Sequence, residues 1–120
     1  MKSTYDLHDV WGLLFVFSIE NTHDVAREEI ITSKNVNDDE ELRQLFDFLI
    51  RPEFLFHSPK EQNLLINTLS YFLENDDSFD GVFLNLDTYF DSDVNDQRRF
   101  MRVLLASLVR YQAESQKPDR

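Results

Sequence analysis

Apolar residues recur at helical spacing along most of this chain. Residues 6 to 19 open with Asp6 as an N-cap and set Val10, Leu13, Leu14 and Phe17 on one stripe, widened by Leu7 and Trp11. That spacing predicts a nearly buried helix. A buried strand through Trp11 to Phe17 competes with it, because a short continuous apolar run does not define its own period. A shorter helix is predicted around Val25 to Ile31, preceded by Thr22 or Asp24 and followed by the polar stretch Thr32 to Asn37. Asn37 or Asp38 then caps a clearer helix. Asp38 to Glu41 place four acids at its positive end, Leu42, Leu45, Phe46 and Leu49 form its stripe, and Pro52 is expected to stop it.

Ser58, Pro59 and Glu61 supply an N-cap, a first-turn proline and a capping-box partner for a helix with Leu65, Leu69 and Phe72 on one face. Beyond Asn75, Gly81 marks a turn or an early helical position, and Phe79, Val82, Phe83, Leu86, Tyr89 and Phe90 read as a fifth helix. Asp91, Ser92, Asp93 and Asn95 offer caps for a last, long helix. Its inner face is Phe100, Val103, Leu104, Leu108 and Tyr111, with Arg98, Arg102 and Arg110 expected outside. Residues 115–120 are expected to fray. With no repeat, linker or sustained heptad, the expectation is one all-α domain over residues 1–120, a compact bundle of about five or six helices.

Composition supports long regular elements: eleven Phe, four Tyr and one Trp stand against two Gly and three Pro. With no cysteine, disulfides and thiolate metal sites are excluded, and a cytoplasmic setting is expected. The longest apolar run, Trp11 to Phe17, is too short to span a bilayer, and no targeting segment is recognised.

Charge changes the picture more. Twenty-three acids against 12 bases give a formal net charge of −11, which disfavours direct binding to nucleic acid or anionic membrane and favours basic partners. The excess is local. From Glu61 to Gln97 there are nine acids and no Lys or Arg. Glu74, Asp76, Asp77 and Asp80 crowd one turn, and Asp87, Asp91, Asp93 and Asp96 follow, so their mutual repulsion would be relieved by a cationic partner. These eight residues are the candidate partner-binding surface. Helix capping and macrodipole effects account for some of the acids, with Arg98, Arg99 and Arg102 pairing with Asp91, Asp93 or Asp96.

The same stretch also reads as a single calcium loop. Asp76, Ser78, Asp80, Gly81 and Asp87 fall at positions one, three, five, six and twelve of an EF-hand, with Phe83 at position eight. It departs from that pattern in having Asp rather than Glu at the last position and Leu84 at position nine. No cofactor is expected. His8, His23 and His57 stand beside Asp9, Asp24 and Ser58 but form no catalytic motif, and there is no nucleophile elbow, phosphate loop or paired-histidine helix. A binding protein is expected rather than an enzyme. Sixteen aromatic residues exceed what so small a core needs, and Phe54, Phe56, Tyr71 and Tyr89 are candidates for an exposed anchoring patch.

An acidic, helical, cysteine-free domain without catalytic motifs resembles the immunity proteins of bacterial toxin systems, those of contact-dependent growth inhibition and the colicins. The resemblance is one of type and transfers no functional residue. It implies a cytosolic inhibitor that binds a basic nuclease toxin domain. An acidic regulator or nucleic-acid mimic that occupies a DNA- or RNA-binding protein is the alternative expectation.

Overall fold

The computed structural model describes residues 7–17, 25–75, 79, 82, 90 and 94–115; of residues 7, 8 and 25 it describes the backbone alone. Among them the chain forms five α-helices and no strand. These are α1 (Leu7–Leu14), continued by a 3₁₀ turn over Phe15–Phe17, then α2 (Val25–Thr32), α3 (Asp39–Phe56), α4 (Pro59–Glu74) and α5 (Gln97–Ser115). The all-α bundle expected from the apolar spacing is what forms. Asp6 and the caps proposed at Thr22 and Asp24 lie outside the described residues, as does most of the helix expected over 79–90.

The Trp11–Phe17 run is helical rather than extended, with Val10, Leu14 and Phe17 fully enclosed. Helix α5 packs chiefly along α3 and also against α4, while α1 packs against α4 and α3. At their meeting point four phenylalanines close a ring of contacts. Phe17 lies 6.1 Å from Phe46, Phe46 meets Phe100 edge-on at 5.4 Å, Phe100 lies 6.0 Å from Phe90, and Phe90 returns to Phe17 at 5.2 Å. A buried Phe contributes about 1.5–3 kcal/mol by leaving water, so this cycle is a main source of cohesion between the chain's two halves.

Asp38 is the N-cap of α3, its side chain accepting from the Glu40 and Glu41 amides at 2.9 and 3.3 Å. The loops that precede α3 and α5 are joined by the Asn95 amide, which donates to Asn37 Oδ1 at 2.8 Å. The Ser58–Glu61 capping box opens α4 as its sequence signature predicts.

Pro52 does not stop α3, which continues to Phe56. The residues on either side explain why. Phe46, Ile50 and Phe54 form a fully buried stripe that holds the helix on course, whereas Pro52 sits on the exposed side, where water can hydrate the carbonyl it leaves without an amide. This continuity also corrects the place of Phe54. Four residues beyond Ile50, it falls on the inner stripe and is buried near Tyr111 at 6.4 Å between ring centres, rather than joining a surface patch.

Candidate partner-binding surface

Of the eight acids singled out from the sequence, the described residues include Glu74 and Asp96. Asp76, Asp77, Asp80, Asp87, Asp91 and Asp93 lie outside them, as do Ser78 and thus the calcium loop of Asp76, Ser78, Asp80 and Asp87. The two described acids differ in kind. Asp96 precedes α5, and its carboxylate accepts from the Arg99 amide at 3.0 Å, so capping explains its presence. Glu74 is the last residue of α4 and exposed. A carboxylate there faces the negative end of the helix dipole, so the fold gains nothing from its charge.

Four arginines of the bundle are engaged with other acids. Arg43 pairs with Glu40 at 2.6 Å and Arg110 with Asp47 at 2.6 Å; Arg51 lies 3.9 Å from Glu114, and Arg99 pairs with Asp39. The expectation that the Arg98–Arg102 cluster serves Asp91, Asp93 or Asp96 is therefore corrected for Arg99, whose guanidinium crosses to Asp39 and to the Val36 carbonyl. Two arginines expected outside are half-buried. Arg98 donates to the Leu73 carbonyl near the end of α4 and lies 5.9 Å from the centre of the Phe79 ring, while Arg110 lies over Tyr111. Their long stems cover apolar surface beside the stripe of Met101, Leu104, Leu108 and Tyr111 while their heads reach polar partners. Arg102 is exposed, as expected.

Asp47 receives a second bond, from the Tyr111 hydroxyl. Burial, reinforced by that carboxylate, pushes the Tyr111 hydroxyl well above the usual tyrosine range.

Among the expected surface aromatics, Phe56 is 89% exposed and Tyr71 is at the edge of exposure, while Tyr89 lies outside the described residues. Phe48, 59% exposed, escaped the sequence reading. Phe48, Pro52 and Phe56 recur every four residues on the outer side of α3, a stripe visible only once the helix is carried through Pro52.

A shallow open groove of about 410 Å³ lies between α1, the end of α3 and the start of α4. Leu13, Leu64 and Leu65 supply apolar walls. Asp9, Glu53 and Glu61 add three carboxylates, and among the described residues no Lys or Arg lines it. Glu61 is held by the fold: it accepts from the Ser58 amide at 3.0 Å and lies 3.4 Å from His57 Nδ1. The Ser58 amide, with help from His57, holds its carboxyl below the usual range. Among the described residues, neither Asp9 nor Glu53 has a hydrogen-bond or ion-pair partner. No group of three or more His, Cys, Asp or Glu among the described residues is disposed to hold a metal ion, and none of their helices is long and apolar enough to cross a membrane.

Gly12 also lines this groove. A glycine inside a helix costs about 0.5–1 kcal/mol relative to alanine. Crowding does not account for it, because a Cβ built there meets nothing within 4 Å. The signal was present in the sequence as one of only two glycines, set in the middle of an apolar helix.

Comparison with protein-family models, with curated proteins and with solved structures finds no match to this chain. Its class is defined by its own residues, which form an all-α bundle.

Proposed function

We propose that the chain is an immunity protein, a cytoplasmic inhibitor that binds and neutralises a basic toxin domain of nuclease type. The observation that supports this reading is the run from Glu61 to Gln97, nine acids without a base, in a molecule whose Arg43, Arg51, Arg99 and Arg110 pair with acids outside Glu74–Asp96. A nuclease is basic because it must hold phosphates, so an acidic inhibitor competes for the same surface and associates fast and in a salt-dependent way. Glu74, Asp76, Asp77, Asp80, Asp87, Asp91, Asp93 and Asp96 are the proposed contact residues, and the chain itself performs no catalysis.

The test is copurification of the tagged chain from source-cell extract at low salt, elution with high salt, and a nuclease assay of the eluate. A basic nuclease that added chain suppresses is the expected result. Replacing Asp76, Asp77 and Asp80 with Asn should then slow association by about tenfold or more while leaving the melting curve in place. Recovery of only general DNA- or RNA-binding proteins would replace this reading with that of a nucleic-acid mimic.

A further inference from the structure

We infer that the groove around Gly12 is a second docking site, which receives a helix of a protein partner carrying a bulky apolar side chain flanked by Lys or Arg. Three observations converge. The walls from Leu13, Leu64 and Leu65 are apolar, and Leu64 is 39% exposed. The missing side chain at Gly12 leaves room that the packing of the described residues does not use, as a backbone closely approached by another molecule would require. Asp9 and Glu53 stand at the groove without an internal cation among the described residues, so the charge that complements it is positive. An open groove between helices that sets three leucines beside three carboxylates matches the helix-in-groove mode of recognition for a basic, amphipathic helix.

The described lining of this groove includes neither Glu74 nor Asp96, and the inference shares with the proposed function only the premise that the chain binds proteins. The probe is a synthetic amphipathic helix of about 15 residues, with Leu and Trp on one face and Lys beside them, titrated into the ¹⁵N-labelled full chain. The expected result is a set of amide shifts centred on Gly12, Glu53 and Leu64. Affinity should fall by about tenfold when Glu replaces Lys in the peptide, and by a similar factor in Gly12→Leu, which fills the space. A melting curve establishes that Gly12→Leu is folded. Should it not be, the double variant Asp9→Asn/Glu53→Gln, changed only at partner-free carboxylates, should weaken the Lys peptide and not the Glu peptide.

Shifts confined to residues 76–93, equal affinity for both peptides, or undiminished binding by the folded groove variants would each overturn the inference. The Asp76, Asp77 and Asp80 to Asn variant separates the two proposals. It should lose nuclease inhibition yet hold the Lys peptide to within about threefold of the unaltered chain, since the described lining of the groove is unaltered in it.

Discussion

The seam between α3 and α5 and the groove between α1, α3 and α4 are both lined by carboxylates, and the two treat them differently. At the seam, Asp39 meets Arg99, and Asp47 meets both Arg110 and Tyr111. Those contacts join residues some 60 positions apart, so each closes a long loop between the chain's halves. In the groove, Asp9 and Glu53 face apolar walls with no such answer among the described residues, and a glycine leaves space where a side chain would fit. A charge answered within the chain contributes to the fold. A charge left beside an apolar surface contributes little to it and gives a partner something to read, so stability and recognition should respond to different substitutions.

The sharpest way to break that contrast is to exchange one enclosed and one exposed aromatic residue for alanine. Phe100 is almost fully enclosed and belongs to the ring of contacts with Phe46 and Phe90. Phe100→Ala should cost about 3–5 kcal/mol through lost burial and the cavity left behind, lowering Tm by more than about 10 °C. Phe56→Ala, at 89% exposure, should stay within about 0.5 kcal/mol of the unaltered chain. Similar losses measured by denaturant unfolding would mean that the two surfaces are not divided as described.

A middle-sized effect belongs to Asp47. Asp47→Ala leaves the Arg110 guanidinium and Tyr111 hydroxyl without their carboxylate. It should cost about 1–2 kcal/mol, a value already reduced for the roughly 40% exposure of the ion pair. Tyr111→Phe tests the hydroxyl separately through pH. Because the folded chain holds that hydroxyl above its ordinary value near 10, its contribution is complete below that value and is lost as pH rises beyond it toward the raised folded value. Alkaline melts should therefore fall more steeply for the unaltered chain than for Tyr111→Phe, and parallel curves would remove Asp47 and burial as the cause.

What the residues disclosed in advance follows the reach of each interaction. Local signals were legible: Ser58, Pro59 and Glu61 announce their capping box, and Leu42, Leu45 and Phe46 their stripe, because both depend on neighbours within a turn or two. Pro52 misled because the backbone penalty is local while the burial of Ile50 and Phe54 that overrides it is tertiary. Phe54 was misplaced, and Phe48 missed, for that same reason. Arg99 was assigned to nearby acids, yet its partner Asp39 lies 60 positions away and no spacing rule points there. The groove was out of reach because it exists only where three helices meet. Of the acidic surface, Asp96 shows how a residue that looks like a binding group can be a helix cap, while Glu74 retains its claim by standing at the wrong end of a helix for capping.

The smallest effect falls at the border between the two regions, where Glu61 both caps α4 and lines the groove. Ser58→Ala removes the acceptor for the Glu61 amide and should cost about 1 kcal/mol at neutral pH. Glu61→Gln probes the other half of the box, the carboxylate that accepts from the Ser58 amide. The folded chain holds this carboxyl below its ordinary value, so its contribution is present above the ordinary carboxylate range and is lost as pH falls through the lowered folded value. The difference in Tm between the unaltered chain and Glu61→Gln should thus narrow in acid. If Glu61 instead served only the groove, the substitution would leave Tm alike at every pH and change peptide affinity alone, and the capping role assigned to its carboxylate would have to be withdrawn.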